Sequence, residues 1–257
     1  MRSADHQPVT PTTASDQASR SAGIRLSVVI PAYNEEGSIA EAVARVVAAI
    51  SGEVAEYELI VVDDGSRDAT AAIVSELSAA NPNIRLIALN TNQGKGAALR
   101  SGFRAATMEY IIFTDADLQI PLTDIPRFIA NAGQYGMVVG YRQKRDDSLS
   151  RRIFSKGYAF LIRILLGIRL KDVNCPLKLF KATLIQSLDL RSCGFFIDTE
   201  IVFLAKQKKT GVLELGVESR RRAHGASTVR LRHMFETVRE LRALMRRGSG
   251  EWESIRS

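Results

Sequence analysis

The apolar run Tyr110-Ile111-Ile112-Phe113-Thr114 leads directly into Asp115-Ala116-Asp117-Leu118-Gln119. A buried strand that ends in oxygen-bearing side chains at alternate positions has a chemical consequence. In an extended chain, residues i, i+2 and i+4 point to one side, bringing two carboxylates and an amide oxygen together. Hard oxygen donors of this kind suit Mg²⁺ or Mn²⁺ and leave coordination positions for diphosphate oxygens and water. Two adjacent carboxylates without a cation repel, and one tends to protonate. Asp115, Asp117 and Gln119 are therefore the expected metal ligands; the alternative is a pair of surface acids in a turn.

Two further polar clusters also end apolar runs. Leu26–Ile30 leads to Pro31-Ala32-Tyr33-Asn34-Glu35-Glu36, and Leu59–Val62 leads to Asp63-Asp64-Gly65-Ser66. Each has a plain structural use as well: Asn34 can cap a helix beginning near Gly37, and Asp63–Ser66 can form an ordinary turn.

The elements that must position these residues follow from hydrophobic patterning. Continuous apolar runs at Leu26–Ile30, Leu59–Val62, Ile84–Leu89, Tyr110–Phe113 and Met137–Val139 predict strands buried on both faces. Between them, Ser38–Ile50, Asp68–Ala80, Gly96–Ala106 and Leu122–Ala132 carry apolar residues at helical spacing. This alternation predicts an α/β fold, a Rossmann-like, mostly parallel sheet flanked by helices, with ligands at the carboxyl ends of the strands. The second half is more helical, with Ile153–Leu166, Thr199–Lys208 and Leu231–Arg247 and one strand at Val212–Val217. Residues 1–23, rich in Ser, Thr, Ala, Gln and Pro, read as a disordered tail. Residues 24–228 then form the main domain, and 229–257 a basic amphipathic helix with its own tail.

Composition is that of a globular protein, 46% hydrophobic and 25% charged, and argues against a disordered or fibrous chain. Charge is unevenly distributed: residues 1–141 hold 10 Lys/Arg and 16 Asp/Glu, whereas residues 142–257 hold 25 and 12. A basic half can meet nucleic acid, an anionic membrane surface or a phosphorylated substrate, and charge alone does not separate these. Cys175 and Cys193 lack the spacing or the His partners of a zinc site and read as free thiols of a reducing cytosol. No signal-peptide pattern follows Met1. The longest apolar stretch, Ala159 to Ile168, is interrupted by Arg163 and falls short of the roughly 20 residues that span a bilayer. The expectation is a cytoplasmic protein, peripheral at the cytoplasmic membrane face.

Taken in order, Pro31–Glu35, Asp63–Ser66 with Asp68 and Thr70, Asn92-Gln93-Gly94-Lys95-Gly96 and Asp115–Gln119 resemble family 2 glycosyltransferases of the GT-A fold. The resemblance runs from Leu26 to about Ser227. It implies that Pro31, Tyr33, Glu35, Asp63 and Asp64 surround the nucleoside of a UDP- or GDP-hexose. It implies as well that Asp115, Asp117 and Gln119 hold Mg²⁺ or Mn²⁺ on the donor diphosphate. Gly94 and Gly96 allow close backbone approach near the nucleotide, although a strand-to-helix turn would use them too.

The second half is similar to the polyprenyl-phosphate hexosyltransferases, including dolichyl-phosphate mannose and glucose synthases. The matching residues are Gly140-Tyr141-Arg142, Arg151 with Ser155, Asp172 through Phe180, Phe195–Glu200, and Arg222 with Gly225 and Ser227. Cys175-Pro176-Leu177-Lys178 departs from the Cys-Gly-Phe-Lys often found in relatives. The implied reaction is inverting transfer of glucose or mannose to a polyprenyl phosphate. Displacement at an anomeric carbon needs charge stabilised on the leaving diphosphate, and Arg142 is the candidate guanidinium beside the cation, with Asp117.

A lipid phosphate is already ionised and needs cationic donors more than a general base; Arg151 and Ser155, one helical turn apart, with Arg222 and Ser227, are the candidates. Phe154, Tyr158, Leu161, Ile162, Leu165 and Leu166 form an apolar stripe able to pack in a core or to meet a prenyl chain. Leu231, Met234, Phe235, Val238, Leu241 and Met245 repeat the pattern among arginines, as in segments that lie on anionic bilayers. Two other readings stay open: transfer to a hydroxyl acceptor, and a nucleotide- or nucleic-acid-binding module, although nucleic acid is not an expected partner.

Overall fold

The computed structural model describes residues 23–117, 119–143, 149–219 and 239–246, with side chains omitted for 149–156. In chain order the elements are β1 (Arg25–Ala32), α1 (Ile39–Ile50), β2 (Glu56–Asp63), α2 (Thr70–Ala80), β3 (Ile84–Ala88), α3 (Lys95–Ala105) and β4 (Tyr110–Phe113). A 3₁₀ turn (Leu122–Asp124) and α4 (Ile125–Ile129) follow, then β5 (Met137–Arg142), α5 (Leu149–Leu166), β6 (Lys178–Lys181), α6 (Ala182–Gln186), α7 (Ile197–Gln207) and β7 (Val212–Val217). A last helix, α8, occupies 239–246.

The seven strands form one sheet in the order β3-β2-β1-β4-β6-β5-β7. All neighbours are parallel except β6, which runs antiparallel to both β4 and β5. β1 lies between β2 and β4, so the order reverses there and the carboxyl ends of these three strands share one edge. In a sheet of this kind that reversal opens the crevice in which ligands bind. The expected mostly parallel sheet flanked by helices is what the chain forms.

Successive strand residues feed opposite faces of the sheet. On one side Val29, Ile60, Val62, Ile111 and Phe113 pack under α3 and α7; on the other Val28, Ile30, Leu59, Val61 and Ile112 pack under α1 and α4. α1 buries Ile39, Ala42, Val43, Val46 and Ile50, the i, i+3, i+4 stripe of a helix lying on a sheet. Phe103, Phe113 and Phe180 pack as a trio with ring centroids 5.9 to 6.1 Å apart.

Several expectations change. The helix predicted over Leu122–Ala132 is a 3₁₀ turn and the five-residue α4, because Pro126 has no N–H to donate and fits only in a first turn. β6 and α6 were not expected. Of the α5 stripe, Ile162 and Leu166 are buried with Tyr158 and Leu165 packed beside them, while Leu161 is exposed and the Phe154 side chain lies outside the description. The outward side of α5 presents Phe160 and Ile164, 66% and 63% exposed. In the C-terminal basic segment, Leu241 is buried with Leu244 in the core, while Met245 stays exposed. Residues 1–22, and 231–238 and 247 of the predicted last helix, lie outside the described residues.

Candidate active site

The loops after β1 and β2 hold each other through their own side chains. Asn34, in the left-handed region at φ 53°, donates its N–H to Ser66 Oγ (2.9 Å) and accepts Arg67 N–H on Oδ1 (2.9 Å). Glu35 N–H donates to Thr70 Oγ1 (2.9 Å) and Glu36 N–H to Asp68 Oδ2 (3.1 Å), while Glu36 Oε2 accepts Ala69 N–H (2.9 Å). Ser38 Oγ donates to Glu35 Oε2 at 2.7 Å. Polar residues that read as ligand contacts are thus partly the mortar of the crevice wall. Among the nucleoside candidates, Tyr33 is exposed at the edge and Pro31 half-buried, while Asp63 and Asp64 are buried.

Asp63 accepts Ser66 N–H on both oxygens, at 3.3 and 3.2 Å. Asp64 accepts the N–H groups of Gln93 and Gly94, one on each oxygen at 2.8 Å, and so staples the end of β2 to the loop before α3. Burial, opposed by those two N–H groups and reinforced by the Asp63 charge, raises its pKa. Gly94 has φ 95°, and a Cβ there would lie 2.4 Å from Cys193 O; one on Gly96 would lie 2.4 Å from Ser192 O. The close approach these glycines permit is therefore to the backbone of residues 192–193, which also caps α3 through Gly96 N–H to Cys193 O (2.6 Å). Glu200 holds that segment by accepting Arg191 and Ser192 N–H groups at 2.8 to 3.1 Å.

Asp115 and Asp117 stand at the carboxyl end of β4. The chain turns at Ala116–Asp117 instead of continuing extended, so alternation along a strand is not what brings them together. Asp117 accepts Gln119 N–H on Oδ1 (3.2 Å) and Gln119 Nε2 on Oδ2 (2.6 Å), so in this orientation the amide serves as donor to the carboxylate and not as an oxygen ligand. Asp115 Oδ1 lies 2.7 Å from Lys95 Nζ. Among the described residues no group of three or more His, Cys, Asp or Glu converges on a cation position. The donor set is two carboxylates, which fits a hard divalent cation that takes its remaining oxygens from a diphosphate and water.

Sequence reasoning missed the charges beneath this edge. Lys95 also lies 3.8 Å from Asp198 Oδ2, and Asp198 Oδ1 pairs with Lys178 Nζ. Lys178 is fully buried and donates to Cys175 O as well. Both ammonium groups sit over the Phe113 ring, at 5.7 and 5.1 Å. Burial alone would lower the Lys95 pKa, but Asp115 and Asp198, with Asp117 beyond, outweigh it and keep the amine charged. The available signal was a lysine at a core position in Cys175-Pro176-Leu177-Lys178-Leu179-Phe180.

Arg142, the last residue of β5, forks onto Asp172: Nε to Oδ2 at 2.7 Å and Nη2 to Oδ1 at 3.1 Å, with its own N–H also on Oδ2 at 3.3 Å. Asp172 is buried and Arg142 partly so, which fixes the guanidinium plane. Arg151 and Ser155 fall on α5, with side chains outside the description; Arg222 and Ser227 lie outside the described residues altogether.

Known proteins share both sequence and shape with this chain. The Glycosyl transferase family 2 model matches residues 27–189. An undecaprenyl-phosphate 4-deoxy-4-formamido-L-arabinose transferase from Aeromonas hydrophila is 34% identical over 218 residues, 84% of this chain and 66% of that protein. The enzyme of that name from Pseudomonas fluorescens is 37% identical over 206 residues, 79% of this chain and 59% of that protein. The chain thus spans about two thirds of its curated relatives, or somewhat less. Glucosyl-3-phosphoglycerate synthase from Mycobacterium tuberculosis, solved with Mn²⁺ and uridine-diphosphate-glucose, superposes with a TM-score of 0.68 at 22% identity, covering 93% of this chain and 83% of that one. That likeness establishes the GT-A fold. With the motifs at the ends of β1, β2 and β4 gathered on one edge, and the family match spanning most of the sheet, the chain belongs to glycosyl transferase family 2.

Proposed function

We propose that this glycosyltransferase moves a sugar from a nucleotide-sugar donor to a polyprenyl phosphate, with inversion, using a divalent cation at Asp115 and Asp117. The observation that carries this reading is the pair of carboxylates at the carboxyl end of β4, beside the β1 and β2 loops. The cation, when bound, would neutralise charge on the departing diphosphate. Asp115 and Asp117 would hold it, and Tyr33, Pro31 and the Asp63–Asp64 wall would receive the nucleoside. Arg142, oriented by Asp172, would supply a fixed positive charge to the leaving group.

An ionised phosphate oxygen on the acceptor forms the new bond to the anomeric carbon while the carbon–oxygen bond to the nucleoside diphosphate breaks, and the electron pair leaves with the diphosphate. No base is needed. Arg151 and Ser155 would grip the acceptor phosphate. The sugar is the open choice: the hexose expected from resemblance stands beside the formamido-arabinose for which the relatives are named. Among the described residues no helix is long and apolar enough to cross a membrane. Contact with a lipid surface would instead use the outward side of α5, where Phe160 and Ile164 border a groove shared with Arg163, Gly167, Arg169 and Lys206.

The test is transfer with matched polyprenyl phosphate and polyprenol in detergent, across nucleotide-linked glucose, mannose and formamido-arabinose. The proposal expects use of the phosphate alone, with Arg151→Ala impairing transfer far more than donor binding. Equal use of the free alcohol would favour the hydroxyl-acceptor reading.

A further inference from the structure

Four charges from four elements alternate in sign on the floor of the crevice: Lys178 at the start of β6, Asp198 in the first turn of α7, Lys95 at the start of α3 and Asp115 after β4. Asp198 and Lys178 are buried, with side chains 3% and 0% exposed, whereas Lys95 and Asp115 reach the surface at 14% and 29%. Burying an ion pair rarely stabilises a fold more than apolar residues of the same volume would. The pair therefore calls for a role other than stability.

Geometry supplies one. Lys95 Nζ stands between two carboxylates, at 2.7 Å from Asp115 and 3.8 Å from Asp198. An ammonium on Asp115 competes with any other cation for that carboxylate. Asp198 draws the ammonium the other way, and Lys178, itself held by Cys175 O, fixes where Asp198 sits. Both amines lie over the Phe113 ring.

We propose that Asp198 and Lys178 are positioning residues for the cation site: Lys95 rests on Asp115, and Asp198, fixed by Lys178, offers the ammonium a second carboxylate to move onto, so that Asp115 can join Asp117 in binding a divalent metal. Lys95 is then a built-in competitor that Asp198 restrains. This rests on the metal reading of Asp115 and Asp117, and it makes a prediction that a scaffolding role does not. Removing the competitor and removing its restraint must change metal affinity in opposite directions.

The experiment is direct Mn²⁺ titration of the full chain without nucleotide, following free Mn²⁺ by electron paramagnetic resonance, with a thermal melt of each variant. Lys95→Met should tighten Mn²⁺ binding several-fold. Asp198→Asn should weaken it by about tenfold or more, an effect corresponding to the loss of one nearby charge interaction. Because Asp198→Asn leaves Lys178 buried beside a neutral amide and can fail to fold, the pair Lys178→Met with Asp198→Leu is the companion variant. It removes the restraint without leaving a charge unpaired, and it should also bind Mn²⁺ more weakly at an unchanged melting temperature. Shifts of the same sign in Lys95→Met and the restraint variants, or wild-type affinity in the double variant, overturn the positioning role while leaving the metal site standing. A wild-type chain that takes up no Mn²⁺ overturns the metal reading and this inference with it.

Discussion

The two ends of the sheet each carry acids among buried strands, and they treat them differently. At the amino ends, Glu58 of β2 accepts Ser27 Oγ (2.7 Å), Thr107 N–H (2.6 Å), Thr107 Oγ1 (2.8 Å) and Arg85 Nη1 (2.5 Å). Every donor comes from β1, β3 or the approach to β4, so one carboxylate ties β2 to three neighbouring chain segments and is fully used in doing so. At the carboxyl ends, Asp115 and Asp117 are only half-buried; Asp115 meets Lys95, backed by Asp198 and Lys178, and Asp117 accepts the N–H and side-chain amide of Gln119. A carboxylate saturated by donors from one sheet edge is structural. A half-buried carboxylate at the carboxyl ends of the strands, where such a sheet opens its crevice, is placed to receive a ligand.

The contrast is sharpest at Asp117. Asp117→Asn should abolish turnover, a loss of at least the 10²–10³-fold typical of removing one preorganised charge stabiliser, while the melting temperature hardly moves. Near wild-type rates at limiting Mn²⁺ would break the comparison. Arg142→Ala comes next, with kcat lowered about 10²–10³-fold. Because it also leaves the buried Asp172 without its fork, Asp172→Asn is the control: it keeps the Arg142 charge and should cost far less in kcat. A loss confined to the apparent donor affinity in Arg142→Ala would remove the leaving-group role.

Glu58 should behave in the opposite way. Glu58→Gln places an NH₂ among donors and should cost about 1–3 kcal/mol of stability while leaving kcat unchanged. Burial works to raise the Glu58 pKa, but the hydrogen bonds from Thr107, Ser27 and Arg85 together lower it below the ordinary glutamate value. Its folded pKa lies below its unfolded one, so its stabilisation is complete above the unfolded value and is lost as pH falls through the folded value. Melts across the acid range should show that limb in the wild type and a flatter one in Glu58→Gln.

Much of this was readable in the chain because a strand buried on both faces leaves a continuous apolar run. Leu26–Ile30, Leu59–Val62, Tyr110–Phe113 and Val212–Val217 all lie within observed strands. The acids were readable because each ends such a run. β6 was hidden because its first residue is Lys178, a charge at a core position that Asp198 and the Cys175 carbonyl make tolerable. Lys95 and Asp198 were hidden for a related reason: they meet each other and Asp115 and Lys178 across elements far apart in sequence, and no local pattern encodes that meeting. Gly94 and Gly96 announced a close approach in sequence, but only the structure shows that residues 192–193 make it.

The claim on which the rest depends is that the β4 edge works through a divalent cation. The direct measurement is transfer to polyprenyl phosphate by protein stripped with chelator and then titrated with Mn²⁺ or Mg²⁺. The account predicts no transfer in chelator and full recovery on adding back either ion; an undiminished rate in chelator would contradict it.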